Sequence, residues 1–168
     1  ESVPEGLNTR QILNYGVTTW NKFFNARQLL THASYLYYIL EAKKKIFDEC
    51  GVKNRDRAVA ITLYLTTIFD KCLDYNSLLT RWENTRNIVK NTFDRHDFAP
   101  SWSYGEMNLI VDNLGFEWAI DQITDSYEGL CSLLEGVDAL KVRVCLGSSM
   151  NLSYVNGLVD AVIVDPPY

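Results

Sequence analysis

The sequence predicts an α/β chain, in which a mainly helical accessory region over residues 1 to 115 leads into part of an α/β domain over residues 116 to 168. Three observations carry that expectation. Apolar residues recur at three- and four-residue spacing through three long segments, which is the period of a helix with one covered face. Past Gly136 the spacing changes to alternate residues, the period of a strand. Leu158 to Val164 is then an almost unbroken apolar, β-branched run, as in a strand covered on both faces.

The elements follow in chain order. Residues 1 to 25 are rich in Gly, Asn, Thr and Pro, and the aromatic stretch from Tyr15 through Trp20 to Phe24 reads as a lead-in packed on its neighbour. Asn25 is a candidate N-cap with Gln28 three residues on. Leu29, Leu30, Ala33, Leu36, Tyr37 and Leu40 then continue the helical spacing as far as Phe47, and Gly51 stops it. Asn54 caps a second helix whose stripe is Ala58, Ile61, Leu65, Ile68, Phe69 and Cys72, and the two helices are expected to pair antiparallel. Periodicity fades from Asn76 to Asn113, a long irregular stretch that mixes arginines with aromatics. A third helix is expected from about Phe116 to Leu134, with Phe116, Ile120, Ile123, Tyr127, Leu130 and Leu134 on one face and Gly136 at its end. Leu140, Val142, Val144 and Leu146 alternate as a strand that ends at Gly147-Ser148-Ser149. The strand over Leu158 to Val164 follows a loop carrying Asn156-Gly157. Two strands and one helix cannot cover both faces of a sheet, so only part of that sheet is expected here.

Composition excludes several classes. With 47% apolar and 12% aromatic residues the chain can bury a core, and no run approaches the roughly 20 apolar residues of a membrane span. The net charge of −5 gives no global reason to expect a nucleic-acid partner, but it is unevenly spread. Residues 1–50 carry six basic and five acidic groups, residues 51–98 eight and six, and residues 99–168 two and ten. Cys50, Cys72, Cys131 and Cys145 lie far apart and only His32 and His96 could join them, so no metal site and no disulfide scaffold is expected. Reduced cysteines imply a cytoplasmic setting. The opening Glu1-Ser2-Val3-Pro4-Glu5-Gly6 has neither an initiator Met nor a basic leader with an apolar segment, and reads as the start of a piece of something longer.

Chemistry concentrates where the apolar run meets Asp165-Pro166-Pro167-Tyr168. Ligands of open α/β sheets bind outside the carboxyl ends of the strands, where this tetrapeptide is expected. Two prolines hold a stiff extended backbone whose carbonyls the sheet does not use. Asp165 offers an acceptor carboxylate, Pro166 a carbonyl acceptor, and Tyr168 a flat ring beside both. That set matches a planar aromatic amine, with two acceptors for its two N–H groups and a ring to stack on.

The D-P-P-Y motif at the end of an apolar strand resembles the catalytic motif of S-adenosylmethionine-dependent amino-methyltransferases that modify exocyclic amines in DNA. Four further segments and the whole closing run extend the likeness: Tyr15-Gly16-Val17-Thr18-Thr19-Trp20, Ala26-Arg27-Gln28-Leu29-Leu30, Asp74-Tyr75-Asn76-Ser77, Asn91-Thr92-Phe93-Asp94-Arg95-His96, and Val159 to Tyr168. Together they resemble the later half of the large bacterial and archaeal adenine-specific DNA methylases that contain a zinc ribbon. The resemblance implies a helical accessory region followed by part of a Rossmann-like methyltransferase sheet. It further implies a glycine-rich cofactor motif and zinc-ribbon cysteines upstream of this stretch, and a chain continuing past the D-P-P-Y. By resemblance, Asp165 and the Pro166 carbonyl accept from the target amine while Tyr168, after Pro167, stacks on a flipped-out base. Gly147-Ser148-Ser149 stands where related methyltransferases often carry Gly-Asp-Ala against the cofactor's adenine. Serine replaces the acid here, and none of the nine glycines forms a G-x-G-x-x-G pattern, so S-adenosylmethionine is expected to find its main cradle elsewhere and this fragment alone to be inactive.

The motif alone leaves the acceptor open. Related motifs serve RNA and protein amino-methyltransferases, and a non-catalytic nucleic-acid-binding module that keeps a relic of the fold is a further reading. For the irregular stretch, a DNA-binding surface would have Arg81, Arg86, Lys90 and Arg95 meeting phosphates and Trp82 or Trp102 supporting a base, against an ordinary packed loop. Lys43-Lys44-Lys45 reads as the solvated last turn of its helix, Tyr35, Tyr37 and Tyr38 as core and rim of the helix pair, and both histidines as structural. An exposed sheet edge predicts self-association of such a fragment.

Overall fold

The structure is a computed structural model that describes residues 1–94, 98, 102–138, 142–148, 150–152 and 157–165. The chain divides into two compact units, Glu1–Leu133 and Leu134–Tyr168. Among the described residues the architecture is mixed: four helices, α1 (Arg10–Asn14), α2 (Ala26–Cys50), α3 (Arg55–Asp74) and α4 (Phe116–Leu133), and one antiparallel pair, β1 (Arg81–Glu83) and β2 (Ile88–Lys90).

The expected cap opens α2. Asn25 Oδ1 accepts from Gln28 N at 2.8 Å and Gln28 Oε1 accepts from Asn25 N at 2.9 Å, a reciprocal capping box that satisfies two donors of the first turn. Gly51, at φ 61° with extended ψ, ends the helix in a conformation only glycine adopts without strain. One short 3₁₀ turn later α3 begins, and the pair is antiparallel: the Arg55 guanidinium at the start of α3 lies 5.8 Å from the Phe47 ring, and Gln28 at the start of α2 reaches Asn76 just past the end of α3. Ala58, Ile68 and Cys72 are buried on α3 as its stripe predicts, but Asn54 makes no side-chain cap bond.

On α2 the buried face differs from the expected one. Gln28, His32 and Ile39 are buried with Tyr35 partly so, whereas Leu30, Leu36, Tyr37 and Leu40 are exposed, Leu30 by 70%. The reason is a polar demand from the end of α3. Asn76, 2% exposed, accepts at Oδ1 from Gln28 Nε2 and from Met107 N, both at 3.2 Å, and its carbonyl oxygen accepts from His32 Nε2 at 3.0 Å. An acceptor that deep needs donors, and the amide and imidazole of α2 supply them only if that face turns inward.

The same short segment anchors the rest of the unit. Asp74 Oδ2 accepts from Asn91 Nδ2 at 2.8 Å, Asp74 Oδ1 from Phe93 N at 3.1 Å, and its carbonyl from Thr92 Oγ1 at 2.7 Å. Ser77 Oγ lies 2.7 Å from Thr92 Oγ1, and the fully buried Thr80 donates from Oγ1 to the carbonyls of Ser77 and Gly105. These bonds place a hairpin within the stretch expected to be irregular. Three-residue strands are too short to show a period, and its signal is the turn Asn84-Thr85-Arg86-Asn87, where Asn87 takes a positive φ of 52°.

Two apolar clusters flank this network. Ile68, Cys72, Leu109 and Ala119 form one with Phe116, Trp118 and Tyr35 against them. Tyr35 stacks on Phe116 with centroids 4.5 Å apart and donates its hydroxyl to the Leu109 carbonyl at 2.8 Å. Val3, Ile12 and Phe23 form the other under Trp20, Leu79 and Phe98, so the aromatic lead-in is packed as expected. Helix α4 packs on α3, with the Lys71 ammonium 4.6 Å from the Trp118 ring, and therefore lies in the first unit and not with the residues that follow it. Its buried residue is Ala119, while Ile120, Tyr127 and Leu130 of the expected stripe are exposed. Gly115 admits the close approach before α4: a Cβ there would meet the Leu109 backbone at 2.5 Å.

In the second unit the described residues of both expected strands, 142–146 and 158–164, lie outside any strand, and Val144, Leu146 and Ile163 are almost wholly exposed. Leu140 falls outside the described residues. A strand covered on both faces requires neighbours on each side, and among the described residues none pairs with either segment.

Two outcomes follow from the network. Replacing Asn76 by Ala strands Gln28 Nε2 and Met107 N in the interior, and a loss of about 2–4 kcal/mol is expected by denaturant unfolding, against about 0.5 kcal/mol for a surface Asn such as Asn8. Burial lowers the pKa of His32 from the ordinary 6.5, against a smaller opposing push from the Asn76 carbonyl. The imidazole is neutral in both states above that value, and below it only the unfolded chain takes the proton. Stability therefore falls with pH below about 6.5, by at most about 1.4 kcal/mol per pH unit, until the folded-state pKa is reached. His32→Gln is expected to flatten that part of the pH profile.

Candidate functional site

Of the tetrapeptide expected to carry chemistry, Asp165 is described, while Pro166, Pro167 and Tyr168 lie outside the described residues. Asp165 is exposed and takes no hydrogen bond or ion pair from described residues. The run that delivers it, Leu158, Val159, Val162, Ile163 and Val164, is exposed as well. Gly147 has open space around it, and Ser148 Oγ accepts from Met150 N at 3.3 Å in a turn closed by Asn151 N on the Ser148 carbonyl at 3.1 Å. Ser149 lies outside the described residues.

The expected nucleic-acid residues sit on the hairpin of the first unit, apart from Trp102, which lies beyond it, and Arg95, which is not among the described residues. Alternation along β1 puts Arg81 and Glu83 on one face with their partners Lys90 and Ile88, and Trp82 with Val89 on the other. The charged face is an ion-pair ladder. Arg81 pairs with Asp94, Lys90 Nζ lies 3.3 Å from Asp94 Oδ1 and 3.1 Å from Glu83 Oε2, and Arg86 Nε lies 3.8 Å from Glu83 Oε1. Three cations share two carboxylates, leaving one positive charge in excess. The Thr85 hydroxyl and then Lys90 hold the Glu83 carboxyl below the usual carboxylate range, and Glu83 and then Asp94 hold the Lys90 ammonium above its ordinary value. Trp82, on the opposite face of the hairpin from this ladder, is 56% exposed, and Phe93 and Trp102 are also open to solvent.

A second polar constellation was not singled out from the sequence. Arg27, in the first turn of α2, donates Nε and Nη2 to Glu106 Oε1 and Oε2 at 2.9 and 2.8 Å, and Asn25 Nδ2 reaches Glu106 Oε2 at 3.0 Å and the Tyr104 hydroxyl at 3.1 Å. This fork pins the segment before α4 onto the start of α2 and raises the Arg27 pKa while holding Glu106 low, in each case first through the hydrogen bond itself. Its only local signal was the capping box beside it, because Arg27 and Glu106 are distant in sequence. No group of three His, Cys, Asp or Glu side chains among the described residues is placed to hold a metal ion, and none of the helices there is long and apolar enough to cross a membrane. The chain matches no protein-family model, no curated protein and no solved structure.

The ladder makes a local prediction. In Lys90→Met the Glu83 carboxyl is expected to titrate closer to the ordinary glutamate range while staying depressed by Thr85, as read from its side-chain carbon shift across an NMR pH series. An unmoved Glu83 titration would mean that Lys90 does not hold it.

Proposed function

We propose that the chain carries the amine-orienting segment of an S-adenosylmethionine-dependent methyltransferase acting on the exocyclic amine of adenine in DNA, in a cytoplasmic setting. The observation that carries this reading is the tetrapeptide Asp165-Pro166-Pro167-Tyr168 directly after an apolar, β-branched run, with the Asp165 carboxylate exposed and unspent by described residues. In the proposed fold Leu140 to Leu146 and Leu158 to Val164 are strands of a Rossmann-like sheet, and residues 1 to 115 form a helical accessory region.

The chemistry assigned to the chain's own groups is positional. Asp165 and the Pro166 carbonyl accept the two N–H bonds of the target amine, which leaves the nitrogen lone pair pointing away from both acceptors, and the Tyr168 ring holds the flipped base flat. The carboxylate also offsets positive charge that develops on the nitrogen as its new bond forms. S-adenosylmethionine, when bound, supplies the activated methyl group. Open space at Gly147 and the exposed Ser148 hydroxyl fit one hydrogen bond to that cofactor but do not enclose it, so its main contacts fall to other residues. DNA as the macromolecular partner draws support from the exposed Trp82 and the excess cation of the ladder, where Arg81 and Arg86 have the geometry to share their donors with phosphate.

The test is methyl transfer from labelled S-adenosylmethionine by the protein that carries this chain, offered DNA, RNA and protein in parallel. Label is expected on the exocyclic amine of DNA adenine, and Asp165→Ala is expected to lower the rate about 10²–10³-fold. Label confined to RNA or protein reassigns the acceptor. No label on any acceptor, together with no detectable cofactor binding, overturns methyl transfer and leaves a nucleic-acid-binding module.

A further inference from the structure

Beside Asn76 the first unit has a cleft of about 410 Å³, within the size range of small-ligand sites, lined by Arg27, Asn76, Glu106, Met107, Asn108 and Ile110 among others. Asn76 is 98% covered, and the orientation of its amide is fixed because Oδ1 is the atom that accepts from Gln28 Nε2 and Met107 N. Its Nδ2 donors meet no partner among the described residues, and the cleft is the open space onto which this residue faces. Asn108 repeats the arrangement at the rim: its Oδ1 accepts from Ile110 N at 3.2 Å, which leaves its Nδ2 donors unspent. The Asn76 amide nitrogen is not cut off from solvent, so its donors open onto the cleft, where water or an acceptor of a ligand can meet them.

The charge of the cleft narrows the occupant. Arg27 and Glu106 are the lining ions and are locked to one another by two hydrogen bonds, so the site is electrically neutral and a phosphate or carboxylate would meet repulsion from Glu106 as well as attraction from Arg27. Unspent donors from two asparagines and an apolar wall from Met107 and Ile110 instead suit an uncharged flat molecule with acceptors along one edge. We propose that this cleft is a nucleobase-binding site, in which Asn76 Nδ2 and Asn108 Nδ2 donate to ring-nitrogen or carbonyl acceptors of the base. No residue of the second unit enters the argument, so the site stands or falls independently of methyl transfer.

The experiment follows the side-chain amide resonances of the full chain during addition of adenosine, guanosine, cytidine or thymidine, with inorganic phosphate and acetate added separately. The Asn76 and Asn108 NH₂ signals are expected to shift saturably with at least one nucleoside and not with either anion. Ile110→Trp, at a position 78% exposed, fills the cleft without touching the buried network and is expected to weaken that binding at least tenfold at unchanged melting temperature. Asn108→Ala is expected to weaken it severalfold. The proposal is overturned if none of the four nucleosides moves these signals at millimolar concentration, if phosphate or acetate moves them as much, or if Ile110→Trp leaves binding intact.

Discussion

Asn76 is the acceptor on which the first unit is assembled. One side-chain oxygen and one carbonyl take hydrogen bonds from α2 and from the segment before α4, parts of the chain far apart in sequence. Each such bond contributes only about 1 kcal/mol when made, but an interior donor or acceptor left without its partner costs more than that. The arrangement is therefore close to all-or-none. Helix α2 cannot rotate to bury its leucines without stranding Gln28 and His32, and the segment at Met107 cannot lift away without stranding its own N–H.

His32 shows what that constraint imposes on one residue. A carbonyl can only accept, so Nε2 must carry the proton and Nδ1 is left as a bare lone pair, buried and without a partner among the described residues. The ring sits edge-on to Phe24 at 5.3 Å and to Phe69 at 6.0 Å, surroundings that favour the neutral form. The same logic extends outward through Asp74, Ser77 and Thr80, which fix the hairpin by its far end. The tip is left to surface ion pairs, which position groups but contribute little to stability.

Local features were legible in the sequence and long-range ones were not. The extents of α2, α3 and α4 follow from spacing, from the Asn25 and Gln28 box and from Gly51, because each depends on residues within a few positions. Which face of α2 turns inward was not legible, since hydrophobic periodicity has no term for a buried amide 48 residues away that requires Gln28. The hairpin was hidden by the brevity of its strands, and the fork of Arg27 on Glu106 by a separation of 79 residues. Asp74-Tyr75-Asn76-Ser77 stood out only through resemblance, and its physical role lies in partners that no local pattern names.

The second unit is governed by the opposite balance. Its described apolar residues are exposed, and each square ångström of that surface forgoes about 25 cal/mol until something covers it. A β-branched run without a paired neighbour has no ladder to fix the direction of its side chains, and so does not aim the carboxylate at its end. In the proposed reaction the contribution of Asp165 is direction more than basicity, and a displaced acceptor loses most of its effect even with its charge intact. The orienting power of Asp165 is accordingly tied to the cover of Leu158 to Val164: whatever pairs that run also sets the amine acceptor, and a mutation that keeps it unpaired should resemble loss of the carboxylate itself.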